Sequence, residues 1–180
     1  PVLLGLGGLL LIVMGHFAAY TYVTSALKVT GIDGTLAAVL LLVYGGAGIA
    51  GTFIAGALAG NHLRAVLLVS ALFIAAATVA IPLLVSEVVA ATAVLIVWGL
   101  GYGAVPVGWQ VWTLRSAPQA AEPVSALFVA GFQMAIGLGA VLGGLAADLS
   151  GAHAPMWVGA TLAAGMCLLL LGARRASTPR

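Results

Sequence analysis

Four kinds of side chain in this sequence have the chemistry to hold a small polar solute: an imidazole, phenols, indoles and a carboxamide, each set inside an otherwise apolar run. His16, Tyr102 and Gln133 fall near the middle of three such runs, and Tyr20 follows His16 by four residues, on the same face of a helix. Thr24 continues that spacing toward the end of the run. A polar group at membrane depth is costly, so its position is informative. The carboxamide donates and accepts hydrogen bonds, the imidazole does either or changes its charge, and the aromatic rings offer flat faces with polar edges. Trp98, Tyr102 and Trp109 share roughly one face of one run, a surface on which an aromatic or sugar-like molecule can stack.

These groups bind; they do not break bonds. The chain has no GxSxG, HExxH, GxxxxGKS, GxxxxGKT or CxxC, and no pair of carboxylates within an apolar run. Hydrolase, metalloprotease, ATPase and redox chemistries therefore lack their groups, and we expect no enzyme, no metal and no cofactor. Each candidate also has a purely structural reading. His16 and Gln133 are equally suited to bonding a neighbouring helix, Trp109 to an interfacial aromatic belt, and Phe128 and Phe132 to packing. Trp112, within one turn of Arg115, and Trp157, at the start of the last run, read as belt residues.

The elements that must position these groups follow from composition. Of 180 residues, 63% are hydrophobic and 6% charged, and the mean hydropathy is +1.25. Such a surface needs lipid as its solvent. Unpaired backbone groups are too costly in hydrocarbon for open structures, and the unbroken apolar runs select helices over a barrel. Each run is near the ~20 residues needed to cross a ~30 Å core. Six spans are expected, at about 2–26, 36–60, 65–85, 89–114, 124–147 and 156–173.

Charge sets their direction. Arg64, Arg115, Arg174, Arg175 and Arg180 lie on one side of the expected topology and Lys28 alone on the other, so both chain ends are expected to be cytoplasmic, with Lys28, Asp33, Glu87 and His153 facing outward. The few basic residues are not clustered, which argues against a nucleic-acid surface. The opening run lacks a charged n-region and a cleavage site, so it is not a signal peptide, and a preceding segment is expected. Cys167 stands alone among Leu and Met and reads as a small packing residue.

Glycine, at 25 residues, sits inside the spans. In the fifth, Gly131, Ala135, Gly139, Gly143 and Ala147 recur every four residues. In the second, Ala47, Gly51, Ala55 and Ala59 form one ladder and Gly48, Thr52, Gly56 and Gly60 another. Such stripes let backbones approach closely, so Gly51, Gly56, Gly139 and Gly143 are expected to pack helix on helix. Pro106, with Gly99, Gly101, Gly103 and Gly108 around it, predicts a bent fourth span.

Residues 98–144, WGLGYGAVPVGWQVWTLRSAPQAAEPVSALFVAGFQMAIGLGAVLGG, together with GHFAAYTYV at 15–23, resemble the C-terminal half of major facilitator superfamily transporters of the drug:proton antiporter branch, specifically its sugar-efflux and purine-ribonucleoside-efflux types. The resemblance implies an all-α membrane protein whose six helices form one half of a twelve-helix fold. It further implies alternating access, a missing N-terminal half as partner, and residence in the bacterial inner membrane. The family's cytoplasmic loop pattern GxxxDRxGRR is matched at 56–65 by GALAGNHLRA, which keeps Gly56 and Arg64 but has Gly60 in place of the acidic residue.

The reading is thus a transporter, by resemblance a proton-coupled efflux permease for a small polar solute, with His16, Tyr20, Tyr102, Trp109 and Gln133 around the site. The alternative is a structural or channel-like six-helix membrane protein without a specific solute. A channel calls for a polar ring, and the sequence shows no repeated polar constriction.

Overall fold

The computed structural model describes residues 2–176, and its elements are α-helices α1 (Val2–Tyr20), α2 (Val23–Val29), α3 (Gly34–Leu84), α4 (Val88–Ser116), α5 (Ala121–Ser150) and α6 (Ala154–Ala176), with one 3₁₀ turn at Pro118–Ala120. Arg180 lies outside the described residues, as do the side chains of Arg174 and Arg175. By length and composition α1, α3, α4, α5 and α6 can each cross a membrane.

Two departures from regular helix shape the bundle. The first expected span does not run unbroken to residue 26: it stops at Tyr20, and α2 begins at Val23 after a turn. The Thr21 hydroxyl donates to the Phe17 carbonyl at 2.7 Å, where it competes with the helical ladder. Thr24 consequently sits on another element and does not extend the His16–Tyr20 stripe.

The second departure lies within the 51 residues of α3, which are two helices meeting at a kink and which cover the expected second and third spans. His62 interrupts it with non-helical φ −126° and ψ 35°, and there the chain doubles back. A Cβ on Gly51 of the first arm would strike the backbone of Leu100, and one on the adjacent Gly101 would lie 3.1 Å from the Ser70 carbonyl of the second arm. Both arms therefore flank the same stretch of α4.

The carbonyls at the end of the first arm lose their helical partners at this reversal. Arg115, in the last turn of α4, donates through Nη2 to the Gly60 carbonyl, and Arg64 donates through Nη2 to the Leu170 carbonyl of α6. In the matched loop Arg64 thus ties two helices together. At the opposite end a His153 ring nitrogen stands 3.2 Å from the Ala26 carbonyl.

Glycine sets the helix spacing where backbones meet. A Cβ on Gly139 would stand 2.6 Å from the Met14 carbonyl, and one on Gly143 would strike the Ala18 backbone, so α5 lies directly against α1. Gly103 meets Gly48 in the same way. Gly56 behaves differently from its expected packing role: a Cβ there would meet nothing within 4 Å, because the ladder of Gly51, Ala55 and Ala59, one residue round the helix, takes the buried side. Leu9, Ile12, Leu67, Ile74, Leu95 and Met166 fill the centre of the bundle.

Candidate functional site

The five expected site residues separate into two places. His16, Tyr20 and Tyr102 gather in an aromatic cluster with Phe17, Tyr44 and Trp98, where α1, the first arm of α3 and α4 meet. Trp109 and Gln133 line a cavity between the far half of α4 and α5.

The cluster is built around His16, which is 1% exposed. The indole Nε1 of Trp98, a donor only, gives its hydrogen to His16 Nδ1 at 3.1 Å, so in this arrangement the imidazole keeps its own proton on Nε2. Nε2 faces the Tyr44 hydroxyl at 3.5 Å, the outer limit of hydrogen-bond reach. Tyr102 stacks on one side with ring centroids 3.5 Å apart and planes 7° from parallel, and Tyr20 stacks at 5.2 Å and 17°. Helical spacing put His16 and Tyr20 on one face, and Trp98 and Tyr102 meet them from α4. His16 is enclosed in this cluster and does not line the cavity; its ring atoms have partners within the protein.

The cavity has a volume of 350 Å³, within the range of small-molecule sites. From α4 come Pro106, Trp109, Gln110 and Thr113; from α5 come Ser125, Phe128, Phe132 and Gln133; Leu9 of α1 contributes as well. Pro106 sits inside α4, where its ring cannot donate to the helical ladder. Positions 106, 110 and 113 share a face by helical spacing, as do 125, 128, 129 and 132. The carboxamides of Gln110 and Gln133 are exposed, while the Thr113 hydroxyl is already bonded to the Trp109 carbonyl at 2.8 Å. Among the described residues no charged side chain lines the space. Two carboxamides and the Ser125 hydroxyl beside indole and phenyl rings can hold a flat, uncharged molecule with donors and acceptors on its rim.

Trp109 itself is 3% exposed, and its indole Nε1, like that of Trp112, is buried without a hydrogen-bond partner. Trp112 turns into the bundle: a Cβ on Gly5 of α1 would overlap its indole, and its ring lies 5.8 Å from that of Trp109. The small residue on α1 admits the indole into the bundle. Trp157 is 43% exposed at the start of α6.

Gln110 and Tyr44 were not among the expected site residues. The spacing of Gln110 from Pro106 and Thr113 was a usable signal; Tyr44 had none, because its role depends on the contact between α3 and α4. Among the described residues no group of three or more His, Cys, Asp or Glu is placed to hold a metal.

Comparison with known proteins places the chain beside bacterial relatives. It is 33% identical over 179 residues to the Transcription regulatory protein OpdE of Pseudomonas aeruginosa, covering 99% of this chain and 44% of that protein. It is 32% identical over 164 residues to the Purine ribonucleoside efflux pump NepI of Shigella dysenteriae and of Escherichia coli strain K12, covering 89% of this chain and 41% of the pump. The chain therefore spans less than half the length of these relatives. No family model matches it. It is a distant relative, over part of its length, of an efflux pump, and its helices are apolar enough for a multi-pass membrane protein.

Proposed function

We propose that this chain is the C-terminal six-helix half of a major facilitator transporter of the drug:proton antiporter branch, and that it exports a small uncharged polar solute by alternating access. Support comes from the apolar helices, from the similarity to a purine ribonucleoside efflux pump and, above all, from the uncharged cavity between α4 and α5. In this reading Trp109 and Gln133, with Gln110, form the half's share of the solute site; His16, Tyr20 and Tyr102 hold α1 and α4 in register beside it. A sugar, a nucleoside or a drug-like heterocycle matches the lining chemistry.

The N-terminal half of the same transporter is the proposed partner, with the solute held between the two halves as they rock. The proposed site of action is the bacterial inner membrane, with both ends cytoplasmic, in keeping with Arg64 and Arg115 at one end of the bundle. Protons are the proposed coupling ion, and nucleic acid is not a proposed partner: six Lys and Arg in 180 residues supply no basic surface for it.

The test is uptake of nucleosides and sugars into proteoliposomes carrying the full-length protein, with and without an imposed pH gradient. Saturable, gradient-dependent uptake is expected. Transport of no solute under any gradient by folded, oriented protein contradicts the proposal, and non-saturable flux favours the channel-like alternative.

A further inference from the structure

We propose that the crevice formed where α3 doubles back binds an anionic phospholipid, with one acyl chain in the crevice and the phosphate between His62 and Arg115. This site is separate from the solute cavity. It encloses 320 Å³ and has three walls: Gly51 and Ala55 on the first arm of α3, Val66 and Val69 on the second, and Gly101 and Ala104 on α4. Its small side chains leave a slot in place of a packed interface.

The chemistry of the slot is that of hydrocarbon. One hydroxyl, Ser70, lies on its wall, and that group is committed to the Leu67 carbonyl at 2.9 Å. Away from His62 a polar solute would find no partner there and would pay its desolvation cost unrecovered. Along the first arm the slot runs from Gly51 to His62, about 16 Å at 1.5 Å per residue, roughly half of a ~30 Å hydrocarbon core and so the reach of one leaflet. Its mouth opens sideways between Ile54, Leu58 and Val69, which are 54%, 45% and 44% exposed.

Charge selects the headgroup. His62 closes one end of the slot. The Arg115 guanidinium reaches the Gly60 carbonyl two residues away and has further N–H groups beyond that bond. Basic pockets between helices at a cytoplasmic surface favour anionic headgroups. A neutral lipid fits the slot equally well but gains nothing from the Arg115 guanidinium. The inference rests on the chain lying in a membrane and not on its transporting any solute.

Native mass spectrometry of the full-length protein, titrated in detergent with phosphatidylglycerol or phosphatidylcholine of equal chain length, tests it. Phosphatidylglycerol should bind about fivefold more tightly, the worth of one guanidinium at the phosphate. Val69→Trp, which fills the mouth from an exposed position, should weaken both lipids. Arg115→Gln, which keeps an N–H donor without the charge, should abolish most of the preference and leave phosphatidylcholine binding in place, whereas Arg115→Lys, which keeps the charge, should keep the preference. Millimolar inorganic phosphate should displace neither lipid. Equal binding of the two lipids, an Arg115→Gln variant with its preference intact, a Val69→Trp variant that binds both normally, or displacement by free phosphate overturns the proposal. Because the titration needs no transport, a protein that binds lipid but moves no solute refutes the transport reading alone.

Discussion

The aromatic cluster and the α4/α5 cavity are built from similar side chains and differ in what those side chains lack. Around His16 the ring nitrogens face Trp98 and Tyr44, the faces are stacked by Tyr20 and Tyr102, and the imidazole is buried. Around Trp109 an indole nitrogen is buried without a partner, two carboxamides stand exposed, and 350 Å³ is open. A closed polar network fixes the relative position of helices; an open one leaves donors and acceptors for something else. Residue type alone did not distinguish them, since each contains an indole that sequence reading placed on the same face of the fourth span.

The largest expected effect comes from the backbone contact on which both regions depend. Gly143→Leu drives a side chain into the Ala18 backbone, where overpacking costs well above the ~1–3 kcal/mol seen when side chains can yield. Folded yield by size-exclusion chromatography should collapse, whereas Gly56→Leu, which faces open space, should leave it unchanged. A folded Gly143→Leu protein with native transport would remove glycine contact as the reason α5 lies where it does.

Next in size is the cluster. Trp98→Phe leaves His16 Nδ1 buried without its donor, a loss of about 1–3 kcal/mol. A thermal midpoint several degrees lower is expected, with solute affinity near wild type. His16→Leu should cost a similar amount, and the double variant less than the sum of the two, as coupled partners do. Additive losses would show that the two residues act independently.

Smaller in stability, but larger in affinity, are the cavity variants. Gln110→Ala and Gln133→Ala should each weaken solute binding by about tenfold, the worth of one lost hydrogen bond to a ligand, with no change in thermal midpoint because both side chains are exposed. The smallest expected effect is that of Pro106→Ala. It restores a donor to α4 and should stabilise the protein slightly while slowing transport that needs the helix to bend; unchanged transport would make the proline a bystander.

Much of this was legible because membrane helices are constrained by few rules. Apolar length marked the long helices, and four-residue spacing of small side chains marked Gly51, Gly139 and Gly143, where an added Cβ would strike a neighbouring helix. The break after Tyr20 was not legible: Thr21 and Tyr22 are ordinary residues in an apolar run, and the Tyr22 hydroxyl finds its acceptor, the Ala140 carbonyl, only across the bundle. The inward turn of Trp112 was hidden for the same reason, since its place depends on a glycine on another helix. Depth along a span could be counted from the sequence. The direction of His16 into a neighbour instead of a cavity could not, because that depends on which helices adjoin.

The most direct test of the division between the two regions pairs solute affinity with thermal stability for Gln133→Ala and Trp98→Phe in the full-length protein. The account predicts a crossed result: Gln133→Ala loses affinity and keeps its melting temperature, and Trp98→Phe loses melting temperature and keeps its affinity. If Trp98→Phe abolishes solute binding at unchanged stability while Gln133→Ala binds normally, the solute site is at His16 and the cavity between α4 and α5 is not it.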